Sequence, residues 1–178
     1  MPGIRNFLAP ILKNDKKHKP SIKSIPQGVS LLTWFIPPYL VAILITVCVT
    51  IRLTIDSIPL LPPPYNLAGL FFILAGVALL LMAARRFKAV RTNIHTFRDP
   101  NRLVTTGPFA VTRNPMYLGF LIVLTGVAIV CNTALGFVVV PIFFIAANWW
   151  YIPFEEARTA EQFGSEYQAY RERVRRWI

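Results

Sequence analysis

Gly107-Pro108-Phe109-Ala110-Val111-Thr112-Arg113-Asn114-Pro115-Met116-Tyr117-Leu118-Gly119 sets a basic, proline-stopped turn directly against the start of a long apolar run. A charge and an amide at the mouth of a hydrophobic stretch mark a place where chemistry can meet a membrane. A second polar cluster, Glu155-Glu156, follows the next apolar run. If both runs cross a bilayer, the two clusters emerge on the same side and can build one site.

Composition supports the crossing. Of the 178 residues, 54% are hydrophobic and only 15% are charged, against about 25% charged in an ordinary soluble domain. Four apolar runs, at 31–51, 66–84, 116–130 and 134–152, approach the ~20 residues that span a ~30 Å hydrocarbon core. The expected fold is all-α: a polytopic membrane protein of about four transmembrane helices with a cytosolic C-terminal helical segment. Only Cys131-Asn132-Thr133 separates the last two runs, which therefore form a tight hairpin. Gly119, Thr125, Gly126 and Ala128 are expected to let those two helices approach closely. The expected organisation is a basic tail over 1–30, membrane helices over 31–90 and a catalytic region over 91–178. The first 30 residues lack a continuous apolar stretch ahead of their lysines, so no cleavable leader is expected and the first span reads as a retained anchor.

Basic residues orient the helices. Arg5, Lys13, Lys16, Lys17, Lys19 and Lys23 crowd the tail, and Arg85, Arg86, Lys88, Arg91, Arg98, Arg102 and Arg113 crowd the connection between the second and third runs. Lys and Arg near span ends are held on the cytoplasmic side, so both termini and the polar clusters are expected there. The net charge of +11 is thus topological. Nucleic acid is excluded as a partner, because no recognition motif or interleaved aromatic accompanies the charge. Cys48 and Cys131 lie in or beside apolar runs without a CxxC or His cluster, and read as packing residues, with no metal site.

Prolines punctuate the runs. Pro37-Pro38 is expected to kink the first span and Pro141 the fourth, since proline removes a helical donor and crowds the preceding turn. Trp149, Trp150 and Tyr151 read as an interfacial aromatic belt. Beyond Pro153, a helical piece is expected over Glu155-Glu156-Ala157-Arg158, then a second helix capped by Ser165, with Tyr167, Tyr170, Val174 and Trp177 near helical spacing.

No Gly-x-Gly-x-x-Gly after a strand, P-loop, HExxH or Ser/His/Asp pattern is present. Each remaining polar residue has a plain structural reading: Arg113 as a charge anchor, Asn114-Pro115 as helix cap and first-turn proline, Glu155-Glu156 as a solvated first turn.

Their order, however, resembles the isoprenylcysteine carboxyl methyltransferases and their phospholipid N-methyltransferase relatives. The resemblance runs from about Arg91 to Ile178. It rests on Leu103-Val104-Thr105-Thr106-Gly107-Pro108-Phe109, Arg113-Asn114-Pro115-Met116-Tyr117-Leu118-Gly119, Glu155-Glu156 and Phe163-Gly164-Ser165-Glu166-Tyr167-Gln168-Ala169-Tyr170. Asn114 stands where eukaryotic members carry His, Phe109 replaces Tyr, and Tyr151 lies near a substrate-contacting Arg of the family.

The resemblance implies S-adenosylmethionine as cofactor and a lipid-borne or prenylated small-molecule acceptor. It implies Arg113, Asn114 and Glu156 as catalytic residues. His95, Asn101, Leu103, Val104, Phe109, Asn114, Pro115, Met116, Tyr117 and Glu155 would bind cofactor, and Tyr151 the substrate. Side-chain chemistry is compatible: a carboxylate of Glu155 or Glu156 suits the cofactor's ammonium or ribose hydroxyls, Arg113 suits its carboxylate, and Leu103, Val104, Phe109 and Tyr117 suit adenine. A carboxylate acceptor needs no general base, whereas an amine must first lose a proton. Phospholipid amine N-methylation, a non-catalytic membrane adaptor and a nicotinamide-dependent reductase-like relative are the alternatives.

Overall fold

A computed structural model describes residues 37–55, 59–90 and 102–178. The chain divides into two units, Met1–Trp34 and Phe35–Ile178, and the described residues all belong to the second. Among them six α-helices and no strand occur: α1 (Pro37–Thr54), α2 (Gly69–Val90), α3 (Pro115–Cys131), α4 (Val139–Ala146), α5 (Ile152–Phe163) and α6 (Ser165–Arg173). Short 3₁₀ turns lead into α2 and α4, and a π turn, Ala147–Tyr151, joins α4 to α5. The all-helical membrane fold is as expected.

Among the described residues three helical bodies are long and apolar enough to cross a bilayer: Pro37–Thr54, Tyr65–Val90 and Leu135–Phe163. The fourth apolar helix, α3, has 17 residues, about 25 Å at 1.5 Å per residue. It runs through the centre of the bundle. One face of α3 meets α2, and the other packs Tyr117, Leu124, Ala128 and Cys131 against Val41, Leu44 and Cys48 of α1 and Val139 and Phe143 of α4. Outward side chains such as Leu53, Phe71, Leu74 and Ile145 are exposed, as a lipid-facing surface requires.

The α2–α3 contact is made of backbone. A Cβ placed on Gly76 would lie 2.7 Å from the Gly119 carbonyl oxygen, and one on Gly126 would lie 2.6 Å from that of Gly69. The short connection after Cys131 does return the chain as a hairpin, with Asn132 in the left-handed region at φ 57, which Asn tolerates. Gly119 and Gly126, expected to serve that hairpin, instead face α2. The reason is geometric: α2 presents its own glycines at the same seven-residue interval, so the closest approach belongs to that pair.

α1 is described from Pro37 onward, so the kink expected at Pro37-Pro38 falls at the edge of the described residues. Pro141 sits in the first turn of α4, exposed, behind a 3₁₀ turn. Pro153 does not break the helical body: it lies in the first turn of α5, just after the π turn, where the Ile152 N–H donates to the Ala147 carbonyl five residues back. The cap of α6 is Gly164, at φ 50, with Ser165 as the first helical residue. The chain turns extended at Val174, so Val174 and Trp177 do not continue the helix.

Candidate functional site

The polar ends of α3 and α5 meet. The Tyr117 hydroxyl donates to Glu155 Oε1 at 2.9 Å, and Arg113 Nη2 pairs with Glu156 Oε1 at 2.8 Å. Arg176, from the extended C-terminus, takes the other oxygen of Glu156 at 2.6 Å. Arg113 Nη1 also donates to the carbonyls of Arg171 and Val174, and its backbone N–H to that of Arg175. Thr112 Oγ1 and Asn114 Nδ2 both donate to the Arg176 carbonyl. Asn114 is therefore the residue before α3 but not a side-chain cap: its amide is spent on the tail. Asn148 accepts from the Trp177 indole at 3.1 Å, and the Tyr170 hydroxyl closes the ring by donating to the Phe109 carbonyl at 2.7 Å.

Behind this clasp lies a cavity of about 140 Å³ lined by thirteen residues. It brings together Leu103, Val104, Phe109, Arg113, Asn114, Glu155 and Glu156 of the expected site. Pro115, Met116, Tyr117 and Tyr151 do not line it. Met116 packs beneath it on the Ala83–Val104–Phe109 cluster, and Tyr151 stacks on Tyr117 with centroids 6.2 Å apart. His95 and Asn101 lie outside the described residues. Phe87, Arg102, Thr159, Phe163, Tyr167 and Tyr170 line the cavity without having been anticipated. For α5 a signal existed: Glu155, Thr159 and Phe163 recur every four residues, which puts them on one helical face.

Burial governs the electrostatics. The Arg113 side chain is 9% exposed, and its Nε–H is buried without a hydrogen-bond partner among the described residues. An unsatisfied buried donor costs roughly 1–3 kcal/mol, more on a charged group; a ligand oxygen reaching it would recover that. Burial raises the Tyr167 hydroxyl above its ordinary range, and raises Tyr170 to about 12. Both phenols are neutral donors at physiological pH. No cluster of metal-ligating side chains occurs among the described residues.

The donors fit S-adenosylmethionine in kind: an acidic wall for an ammonium or hydroxyls, a lone Nε–H for a carboxylate, and Leu103, Val104, Phe87 and Phe109 for a heteroaromatic ring. The volume admits one end of such a molecule, since small-molecule sites commonly enclose ~300–1,000 Å³.

No solved structure matches the chain. Over 79 residues, 43% of the chain, the sequence is 38% identical to protein-S-isoprenylcysteine O-methyltransferase B of Arabidopsis thaliana, of which the match covers 39%. Over 63 residues, 35% of the chain, it is 35% identical to an uncharacterized protein of Haemophilus influenzae, covered over its whole length. The family model for phospholipid methyltransferases matches residues 65–166, from the turn before α2 into α6. That match takes in more than half of the chain and both polar clusters, and the protein belongs to the phospholipid methyltransferase family.

Proposed function

We propose that the protein is an S-adenosylmethionine-dependent membrane methyltransferase whose acceptor is lipid-borne or hydrophobic and carries a carboxylate. The observation that carries the reading is the buried, unpartnered Nε–H of Arg113 in the wall of a cavity that also holds Glu155. When bound, S-adenosylmethionine supplies an electrophilic methyl group on a sulfonium. Glu155 would hold its ammonium or ribose hydroxyls, Arg113 Nε its carboxylate, and Phe87, Val104 and Phe109 its adenine. Arg113, Asn114 and Glu156, expected as catalytic residues, serve here to position the pocket, because their remaining polar atoms tie α3 and α5 to the C-terminal tail.

O-methylation is favoured over N-methylation by the state of the carboxylates. Glu156 has both oxygens in ion pairs and Glu155 accepts the Tyr117 hydroxyl. Either Glu156 oxygen would have to leave its guanidinium before it could reach the proton of an amine. An acceptor that is already ionised needs no base, and its negative charge is consumed as the sulfonium's positive charge is lost. Chain ends and cavity are assigned to the cytoplasmic side by the basic asymmetry, and residues 91–178 to the catalytic region.

Inside-out membrane vesicles supplied with methyl-labelled S-adenosylmethionine test the whole reading. The expected label is alkali-labile and released as methanol, as from a methyl ester, and right-side-out vesicles remain unlabelled. Glu155→Gln in the purified protein should weaken cofactor binding about tenfold, the worth of one charge-assisted bond. Alkali-stable label would transfer the reading to amine methylation. Calorimetric binding of a nicotinamide dinucleotide instead would make the chain a reductase-like relative, and binding of neither an adaptor.

A further inference from the structure

A second, larger cleft of about 700 Å³ lies beside the first, lined by Leu79, Met82, Arg85, Arg86 and Ala89 of α2 and by Gly107, Pro108, Val111, Thr112 and Leu118. We propose that it binds an anionic phospholipid of the surrounding bilayer, as a site separate from the methyl-transfer cavity. The lining is apolar except for Thr112 and two exposed arginines, and contains no acidic residue. Among the described residues neither arginine forms an ion pair.

The charges sit at one end. Arg86 lies seven residues beyond Leu79, about 10 Å along the helix axis, so the cleft runs from an apolar floor within the span to a cationic rim at its end. That polarity matches one lipid, chain inward and phosphate outward. Gly107 makes room for the rim: it has φ +65, and a Cβ there would lie 2.5 Å from Arg86 Nε. Any larger residue would displace the guanidinium from the cleft.

The acceptor itself is a poor occupant. Reacting atoms must come within about 3–3.5 Å, and no residue lines both spaces. Ala83, Val104 and Phe109 pack with Phe87, Val90 and Met116 in one cluster; Phe87, Val104 and Phe109 of it line the inner cavity and none of the six lines the cleft. A molecule held at Arg86 therefore faces the back of the cofactor cavity.

The test uses the full chain, delipidated in neutral detergent, with short-chain phosphatidylglycerol, phosphatidylcholine or inorganic phosphate added, and native mass spectrometry as readout. Phosphatidylglycerol should be retained selectively, and less so at high salt. Arg85→Gln with Arg86→Gln should weaken it about 25-fold, from two contributions of about a factor of five each. Ala89→Trp should abolish retention by filling the cleft, with cofactor binding unchanged in both variants. Equal retention of the two lipids, undiminished retention in the variants, or competition by free phosphate would overturn the proposal. So would transfer of labelled methyl to the lipid retained there, which would make the cleft the acceptor's. Failure of the wild type to bind S-adenosylmethionine would strike only the reading of the inner cavity, because the lipid measurement uses no cofactor.

Discussion

The two contacts that α3 makes along its length are built on opposite principles. Against α2 it offers glycine to glycine, with no polar side chain and no room for a methyl group. At its N-terminal end it offers Arg113 and Asn114, each reaching across to backbone carbonyls of a tail more than 50 residues away. The first contact is specified by what is missing and the second by what is present. In a membrane the first carries rigidity, because helices there associate through close packing rather than by escape from water. The second carries position, fixing α3, α5 and the tail around one cavity.

The largest expected effect breaks the seam. In Gly76→Val the new Cβ would meet the Gly119 carbonyl oxygen and Val123, and backbone cannot step aside as a side chain can. The helices must separate, so the loss should exceed the ~1–3 kcal/mol of ordinary overpacking. Size-exclusion chromatography after mild detergent extraction should show little monodisperse protein. Gly164→Ala is the control: nothing lies within 4 Å of its Cβ, so only its backbone, at φ 50 and ψ −121, is strained, at about 1–3 kcal/mol. Equal yields of the two variants would refute the seam.

A smaller effect breaks the clasp while leaving the seam whole. Glu156→Gln leaves Arg113 and Arg176 facing a neutral amide, and removing one member of a buried ion pair costs about 3–5 kcal/mol. The lower end applies, because the Arg176 side chain is 31% exposed against 9% for Arg113. The tail should loosen before the bundle does. Limited trypsin digestion is expected to cut after Arg175 or Arg176 in the variant at concentrations that spare the wild type, with helical content retained. Cleavage at the same rate in both would mean that the carbonyl bonds alone hold the tail.

The same contrast explains what could be read from sequence. Apolar runs announce the spans because burial in hydrocarbon demands about 20 such residues. Their ends were misjudged at Arg85–Val90 and beyond Pro153, where hydropathy falls but backbone pairing continues, through snorkelling arginines in one case and a π turn in the other. Residue order identified Arg113, Asn114, Glu155 and Glu156 as a group. What ties Arg113 and Asn114 to the tail was not legible, for their partners at Arg171, Val174 and Arg176 are backbone carbonyls, which every residue possesses. Glycine spacing in α3 signalled a close approach but was assigned to the hairpin partner; finding the true neighbour required α2 to be seen presenting Gly69 and Gly76 in the same register.

The smallest effect sharpens the clasp at its far end, where Tyr170 ties α6 to the Phe109 carbonyl. Tyr170 is 4% exposed, and burial raises its hydroxyl from 10.0 to about 12, opposed by the nearby Arg113 charge and reinforced by Tyr167. A phenol raised in the folded state stabilises it fully below the unfolded value near 10, and that contribution fades as pH climbs through about 12. Two pH units correspond to about 2–3 kcal/mol, all of it lost inside that alkaline window. Tyr170→Phe has no proton to lose. At neutral pH it should be about 1 kcal/mol less stable than the wild type, the net worth of one hydrogen bond. Thermal unfolding followed from pH 9 to 12 should therefore show the wild type falling faster until the curves meet or cross, as the tyrosinate, unable to donate, is driven from its site. Parallel curves across that range would remove Tyr170 from the clasp and leave Arg113 and Asn114 to position the tail alone.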